Sequence, residues 1–161
     1  MTRYLFIFLA LLSVNLSAQS PRTVPLVNFM QLEDRLKVQD DTLRVFNFWA
    51  TWCKPCVYEL PYFLEAAEKY KDQKFQLLLV SLDFPRQIES RLIPFLEKNQ
   101  IKVPVVVLDA RDPNSWIDKV DEQWSGAIPA TLFVRGDRRY FHEAEMSCDE
   151  LNLMINKFLN Y

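Results

Sequence analysis

The chain has 161 residues, half of them hydrophobic, and a formal net charge of −2. That size and composition suit one compact domain with a substantial core. The near-neutral balance excludes the basic stripe of a nucleic-acid binder, and two glycines beside nine prolines exclude a low-complexity linker.

Residues 1–18 read as a signal peptide. Arg3 supplies a positive start, and residues 4–12 are an apolar run of nine, well short of the roughly 20 that span a membrane. Ser13, Asn15, Ser17 and Ala18 are small or polar and put cleavage near Ala18–Gln19, although Leu16 suits that cut poorly. The alternative is an uncleaved anchor. Export to the periplasm or cell envelope follows, an oxidising compartment where free thiols are unusual. Residues 19–161 are then the working domain, beginning with a loose leader at 19–23.

Residues 24–27 are a candidate first strand. Asn28 can cap a helix over 29–37, since Phe29, Leu32 and Leu36 share a face. Residues 39–42 are a polar turn. Residues 43–50 are β-branched or aromatic and nearly continuous, as in a central strand covered on both faces. A helix over 54–71 follows, with Leu60, Phe63, Leu64, Ala67 and Tyr70 at helical spacing. Pro61 lies inside it, and a kink is expected there. Residues 75–82 suit another buried strand. A helix over 87–99 is kinked or divided at Pro94, and residues 103–108 form a short strand. Residues 114–123 read as a helix opened by Asp112-Pro-Asn-Ser. Residues 131–134 and 138–142 make a hairpin across Gly136-Asp137. A helix over 146–159 ends the pattern, with Leu151, Met154, Ile155 and Phe158 on one face.

Chemistry concentrates in Asn47-Phe-Trp-Ala-Thr-Trp-Cys53-Lys-Pro-Cys56. It places Cys53 at the start of a helix, where unpaired N–H groups and the positive end of the helix dipole favour a thiolate. Lys54 adds positive charge, and Pro55 fits the first turn because its missing N–H removes no helical bond. Three readings of the pair are open: a redox dithiol, a structural disulfide, and half of a zinc site. Zinc needs four ligands, and the chain offers only Cys148 and His142 in addition, in no paired motif. The redox reading is preferred.

This segment, with Glu59 and Pro61 following, resembles the thioredoxin superfamily and within it the exported TlpA/ResA-like thiol–disulfide oxidoreductases. The resemblance runs from about Val24 to the C-terminus. It implies a thioredoxin fold, a mixed central sheet flanked by helices, with residues 87–124 as a helix–strand insertion before a cis-proline at Pro129. Cys53, Cys56 and Glu59 become the catalytic set, with Glu59 tuning the thiols or accepting a proton as Cys56 reacts. A solvated helix glutamate is the plain alternative. Trp52, Lys54, Pro55, Ile128 and Pro129 become the substrate-binding set, with the Ile128 backbone free to pair with an extended client. No metal or other cofactor is needed, because the two sulfurs carry the electrons. The implied partners are protein thiols and disulfides and a membrane thiol-electron transporter, with the protein itself monomeric.

The family favours a reductase, while a disulfide-donating oxidase, a chaperone or metal carrier, and a permanently closed structural bridge are the alternatives. Asn47 stands where cytoplasmic thioredoxins carry an Asp, and reads most plainly as a core Asn bonded to backbone. Trp49 reads as core, Cys148 as a small buried hydrophobe, and His142 as a strand or surface residue. Arg135-Gly-Asp137 reads as a turn. The segment from His142 to Met146 lacks the glycine common in the family before the last helix, so the rim of the site is expected to differ.

Overall fold

The strand β2 (Leu43–Trp49) alternates between two sets of apolar partners, and the layers follow from that alternation. In the computed structural model, which describes residues 22–109 and 111–160, Leu43, Val45 and Trp49 enter one buried cluster and Phe46 and Phe48 the other. The leader assigned to residues 1–18 lies outside the described residues. β2 pairs in parallel with β3 (Phe75–Ser81) and antiparallel with β5 (Ala130–Arg135). β4 (Val105–Leu108) joins β3 in parallel, β1 (Leu26–Val27) joins β4, and β6 (Arg138–His142) closes the hairpin with β5. The sheet order is β1-β4-β3-β2-β5-β6. The strand contributed by the 87–124 insertion therefore lies inside the sheet, between β1 and β3.

One face is covered by α2 (Lys54–Lys69), α3 (Ile93–Lys98) and α5 (Cys148–Leu159), which contribute Leu60, Phe63, Leu96, Leu151 and Ile155 to the first cluster. The other is covered by α1 (Phe29–Leu36) and α4 (Ile117–Val120), with Leu32, Leu36, Trp116, Val120 and Trp124 in the second cluster. Two capping boxes fix helix starts. Asn28 and Gln31 cap α1, and Ser147 and Glu150 cap α5. In the hairpin Arg135 pairs with Arg138, and Gly136 between them takes φ +60°, as the two-residue turn requires.

Several elements depart from the sequence reading. Only Leu26–Val27 of the first strand pairs. The helix expected at 146–159 starts at Cys148, because Ser147 caps it. The helix expected at 87–99 is a 3-10 turn (Pro85–Gln87), a π turn (Ile88–Leu92) and α3. Pro94 has no N–H to offer the carbonyl four residues back and its ring crowds that turn, so the turn preceding α3 is widened. The helix expected at 114–123 is reduced to a 3-10 turn (Pro113–Ser115) and the single turn α4. There Trp116, Val120 and Trp124 are all buried at four-residue spacing, and packing under the sheet holds the segment instead of a regular helix. α2 runs through Pro61 as one helix of 16 residues.

Candidate active site

The C-terminal ends of the parallel strands β2 and β3 carry the chemistry, the usual place for a site on such a sheet. Cys53 is the N-cap of α2 and Pro55 lies in its first turn. Cys53 and Cys56 form a disulfide with Cα atoms 5.3 Å apart. Cys53 is 6% exposed and Cys56 fully buried, so the Cys53 sulfur is the one a partner can reach. The Cys56 N–H donates to Cys53 Sγ at 3.3 Å, a contact that supports negative charge on that sulfur once reduced. Trp52 is 49% exposed beside it, and Lys54 and Pro55 are exposed.

The Ile128–Pro129 bond is cis. Pro129 is buried and Ile128 half-buried, with the Ile128 carbonyl oxygen 3.7 Å from Cys53 Sγ. The structure thus brings the Ile128 carbonyl to the Cys53 sulfur, with Trp52 and Lys54 the chain neighbours of Cys53 and Pro129 that of Ile128, and Pro55 one residue beyond Lys54.

Behind the disulfide lies a polar cluster. Glu59 is one turn beyond Cys56 on the buried stripe of α2, which also holds Leu60 and Phe63. Asn47 and Thr131 are opposed in the β2–β5 ladder. Being an even number of residues from Val45 and Phe133, they face α2. Asn47 Nδ2 donates to Glu59 Oε1 at 2.8 Å and to Thr131 Oγ1 at 3.1 Å. The Met146 N–H donates to Glu59 Oε2 at 2.7 Å. Asn47 therefore bonds to side chains, not to backbone as its sequence suggested, and its Oδ1 has no partner among the described residues. Glu59 has no solvent exposure. Burial pushes its pKa up to about 7, against the hydrogen bonds from Met146 and Asn47 and with a further upward push from the charge of Glu145. A carboxyl of that pKa can exchange a proton near neutrality.

Sequence reasoning missed the support on the other side. Asp83, 1% exposed, accepts from the Thr51 N–H at 3.0 Å, the Thr51 hydroxyl at 2.5 Å and the Ser81 hydroxyl at 2.8 Å. It ties the Thr51–Cys53 turn to the end of β3. The readable signal was a carboxylate just past an apolar strand at the chemically active end of the sheet. Asp83→Ala leaves the buried Ser81 hydroxyl and the half-buried Thr51 hydroxyl and N–H without their acceptor. It is expected to cost about 2 kcal/mol in urea denaturation of the oxidised protein, and an unchanged midpoint would contradict this role.

Cys148 is half-buried at the first position of α5, not fully buried, with Asn152 Nδ2 3.4 Å from its sulfur. His142 is on β6, stacked on Tyr140. Among the described residues no group of three or more His, Cys, Asp or Glu is placed to hold a metal ion, and no helix is long and apolar enough to cross a membrane. A cleft of about 570 Å³, lined by Arg35, Phe75 and Val103 among others, lies at the opposite ends of the strands and contains none of these residues. Exchange at an accessible sulfur does not need an enclosed pocket.

A family model described as the AhpC/TSA family matches residues 29–139. The thiol-disulfide oxidoreductase ResA of Oceanobacillus iheyensis is 28% identical over 114 residues, which cover 70% of this chain and 55% of the relative. The chain thus spans about half the length of that relative. Among solved structures, a thioredoxin-related protein from Neisseria meningitidis serogroup B superposes with a TM-score of 0.63 at 19% identity, over 78% of this chain and 90% of the other. StoA from Bacillus subtilis gives 0.56 at 20% identity, over 73% and 84%. At these identities the superpositions speak for a shared thioredoxin fold.

Proposed function

The chain belongs to the AhpC/TSA family of the thioredoxin superfamily, and on that premise we propose that it is a thiol–disulfide oxidoreductase that reduces protein disulfides. The observation that carries this reading is the reachable Cys53 sulfur at the N-terminus of α2, flanked by Ile128 and backed by a buried carboxyl with a pKa of about 7.

The Cys53 thiolate attacks one sulfur of a client disulfide. A Cys53–client bond forms, the client S–S bond breaks, and the first client thiolate leaves and takes a proton. Cys56 then gives up its proton and attacks Cys53. The Cys53–Cys56 bond forms, the mixed disulfide breaks, and the second client thiolate leaves. The protein has lost two electrons to the client, the second client thiolate takes up the Cys56 proton, and the proton taken up by the first replaces the one that Cys53 released on ionising. Glu59, one turn from Cys56, accepts the Cys56 proton. Trp52, Lys54 and Pro55 form the contact surface around the sulfur, and the Ile128 backbone pairs with the client chain beside Pro129. A thiol-electron donor in the membrane restores the dithiol. Export follows from reading residues 1–18 as a leader, and the protein acts as a monomer on protein thiols and disulfides in the cell envelope.

Equilibration in defined thiol buffers tests the direction. A reductase has a Cys53–Cys56 potential near that of thioredoxin, about −270 mV, whereas a value near −120 mV reverses the assignment to disulfide donor. Failure to cycle at all removes the exchange reading.

A further inference from the structure

Ile128, on which the client contact rests, stands outside the sheet. Pairing of β5 begins at Ala130 with β2 and at Thr131 with β6. The loop over residues 124–128 must be held by other means, and it is held from two sides. On the inner side Trp124 is buried against Phe48, Trp116 and Phe141, with ring centroids 4.7, 5.4 and 5.6 Å away. Its Nε1–H donates to the Ala127 carbonyl at 2.8 Å. On the outer side stands Glu143, immediately after β6. Glu143 Oε2 accepts from the Ser125 N–H at 3.0 Å, and Oε1 accepts from the Ala127 N–H at 3.0 Å and from the Ser125 hydroxyl. Gly126, at φ +93°, lets the two N–H groups converge on one carboxylate. A Cβ there would also meet Ile117 Cδ1 at 2.9 Å.

We propose that Glu143 is a positioning residue whose carboxylate clasps the 125–127 turn and fixes the Ile128 edge, so that the site favours extended polypeptide disulfides over small ones. The proposal rests on the exchange reading above. A small disulfide needs only the Cys53 sulfur. An extended client must also pair with the Ile128 backbone, so only the client senses where that backbone stands. Charge-assisted bonds from one carboxylate to three donors are strong and directional enough to set it. Burial pulls the Glu143 pKa up, but the three bonds outweigh it and hold the carboxyl below its ordinary range, so the clasp is charged at neutral pH.

The test is single-turnover oxidation of the pre-reduced protein, by insulin as the polypeptide disulfide and by 5,5′-dithiobis(2-nitrobenzoate) as the small one. Wild type, Glu143→Ala and Glu143→Gln are compared, with the reduction potential measured for each. In Glu143→Ala the half-saturating insulin concentration is expected to rise about tenfold, about 1.4 kcal/mol, while the limiting rate, the small-disulfide rate and the potential stay within about twofold. Glu143→Gln is expected to fall between, since it keeps an acceptor for Ala127 but turns an amide donor toward the Ser125 N–H. Equal slowing with both disulfides, together with a lowered Tm, would mean a merely structural role and overturn the proposal. So would variants that match wild type with insulin. A wild type that reacts with neither disulfide removes the exchange reading and this proposal with it.

Discussion

Cys53→Ser is expected to lose client-disulfide turnover by at least about a thousandfold, because a hydroxyl at neutral pH supplies no nucleophile comparable to a thiolate. Cys56→Ser is expected to behave differently. It retains the accessible sulfur and the backbone N–H of position 56 that donates to it, so the first attack proceeds. The resolving sulfur is gone, and Cys53–client mixed disulfides accumulate. Non-reducing electrophoresis of the two variants after incubation with envelope extract distinguishes them. Adducts should appear with Cys56→Ser, vanish with reductant, and be absent from Cys53→Ser. If the adducts instead form in Cys53→Ser through Cys56, the roles are exchanged. That result would contradict the exposure of the two sulfurs, 6% for Cys53 and none for Cys56.

The second large effect concerns pH. Glu59 has its folded pKa raised from 4.5 to about 7. The folded state therefore binds more protons than the unfolded state between those values, and stability falls as pH rises through that window. Below about pH 4.5 both states are protonated and nothing is lost. Above about pH 7 the loss is complete, and the gap corresponds to about 3 kcal/mol. Glu59→Gln removes the charge. The amide side chain introduced by that substitution can still accept from the Met146 N–H. Its NH₂ group can donate to Asn47 Oδ1 after a flip of the Asn47 amide, an oxygen that now has no partner among the described residues.

The expected result is that Glu59→Gln is more stable than wild type at pH 8 by up to about 3 kcal/mol and nearly equal at pH 4. Urea denaturation of both proteins as disulfides, at a series of pH values, reads the difference, and neither Cys53 nor Cys56 titrates in that form. Asp40, Asp41, Asp109 and Glu150 are held below their ordinary range by side-chain hydrogen bonds to Arg44, Lys74, Arg111 and Ser147. They contribute with the opposite sign, losing stability as pH falls below about 4, and they cancel in the difference. Parallel stability profiles for the two proteins would mean that Glu59 is not the titrating group. If Glu59 accepts the Cys56 proton, the same variant also loses an inflection near pH 7 in the rate of client release.

Much of this was legible in the chain. The unbroken apolar residues of β2 and β3, the cap Asn28, the turn Gly136-Asp137 and the motif Cys53-Lys-Pro-Cys56 are local patterns, in which each residue's role depends on neighbours within a turn or two. Such patterns fixed the element order, the thiol pair and the helix terminus that activates it. The position of Glu59 three residues after Cys56 also put its carboxyl on the face of α2 that α5 and β2 bury. The tertiary structure alone decided that Asn47 and Thr131 meet that carboxyl from two strands, that the Met146 N–H closes the cluster from the start of α5, and that Asp83 and Glu143 hold the two turns bordering the sulfur. These contacts join residues from 12 to 87 positions apart. Periodicity and spacing report only which face a residue takes within its own element. Which side chain meets it from another element is set by register and layer packing, and those exist only once the sheet has formed.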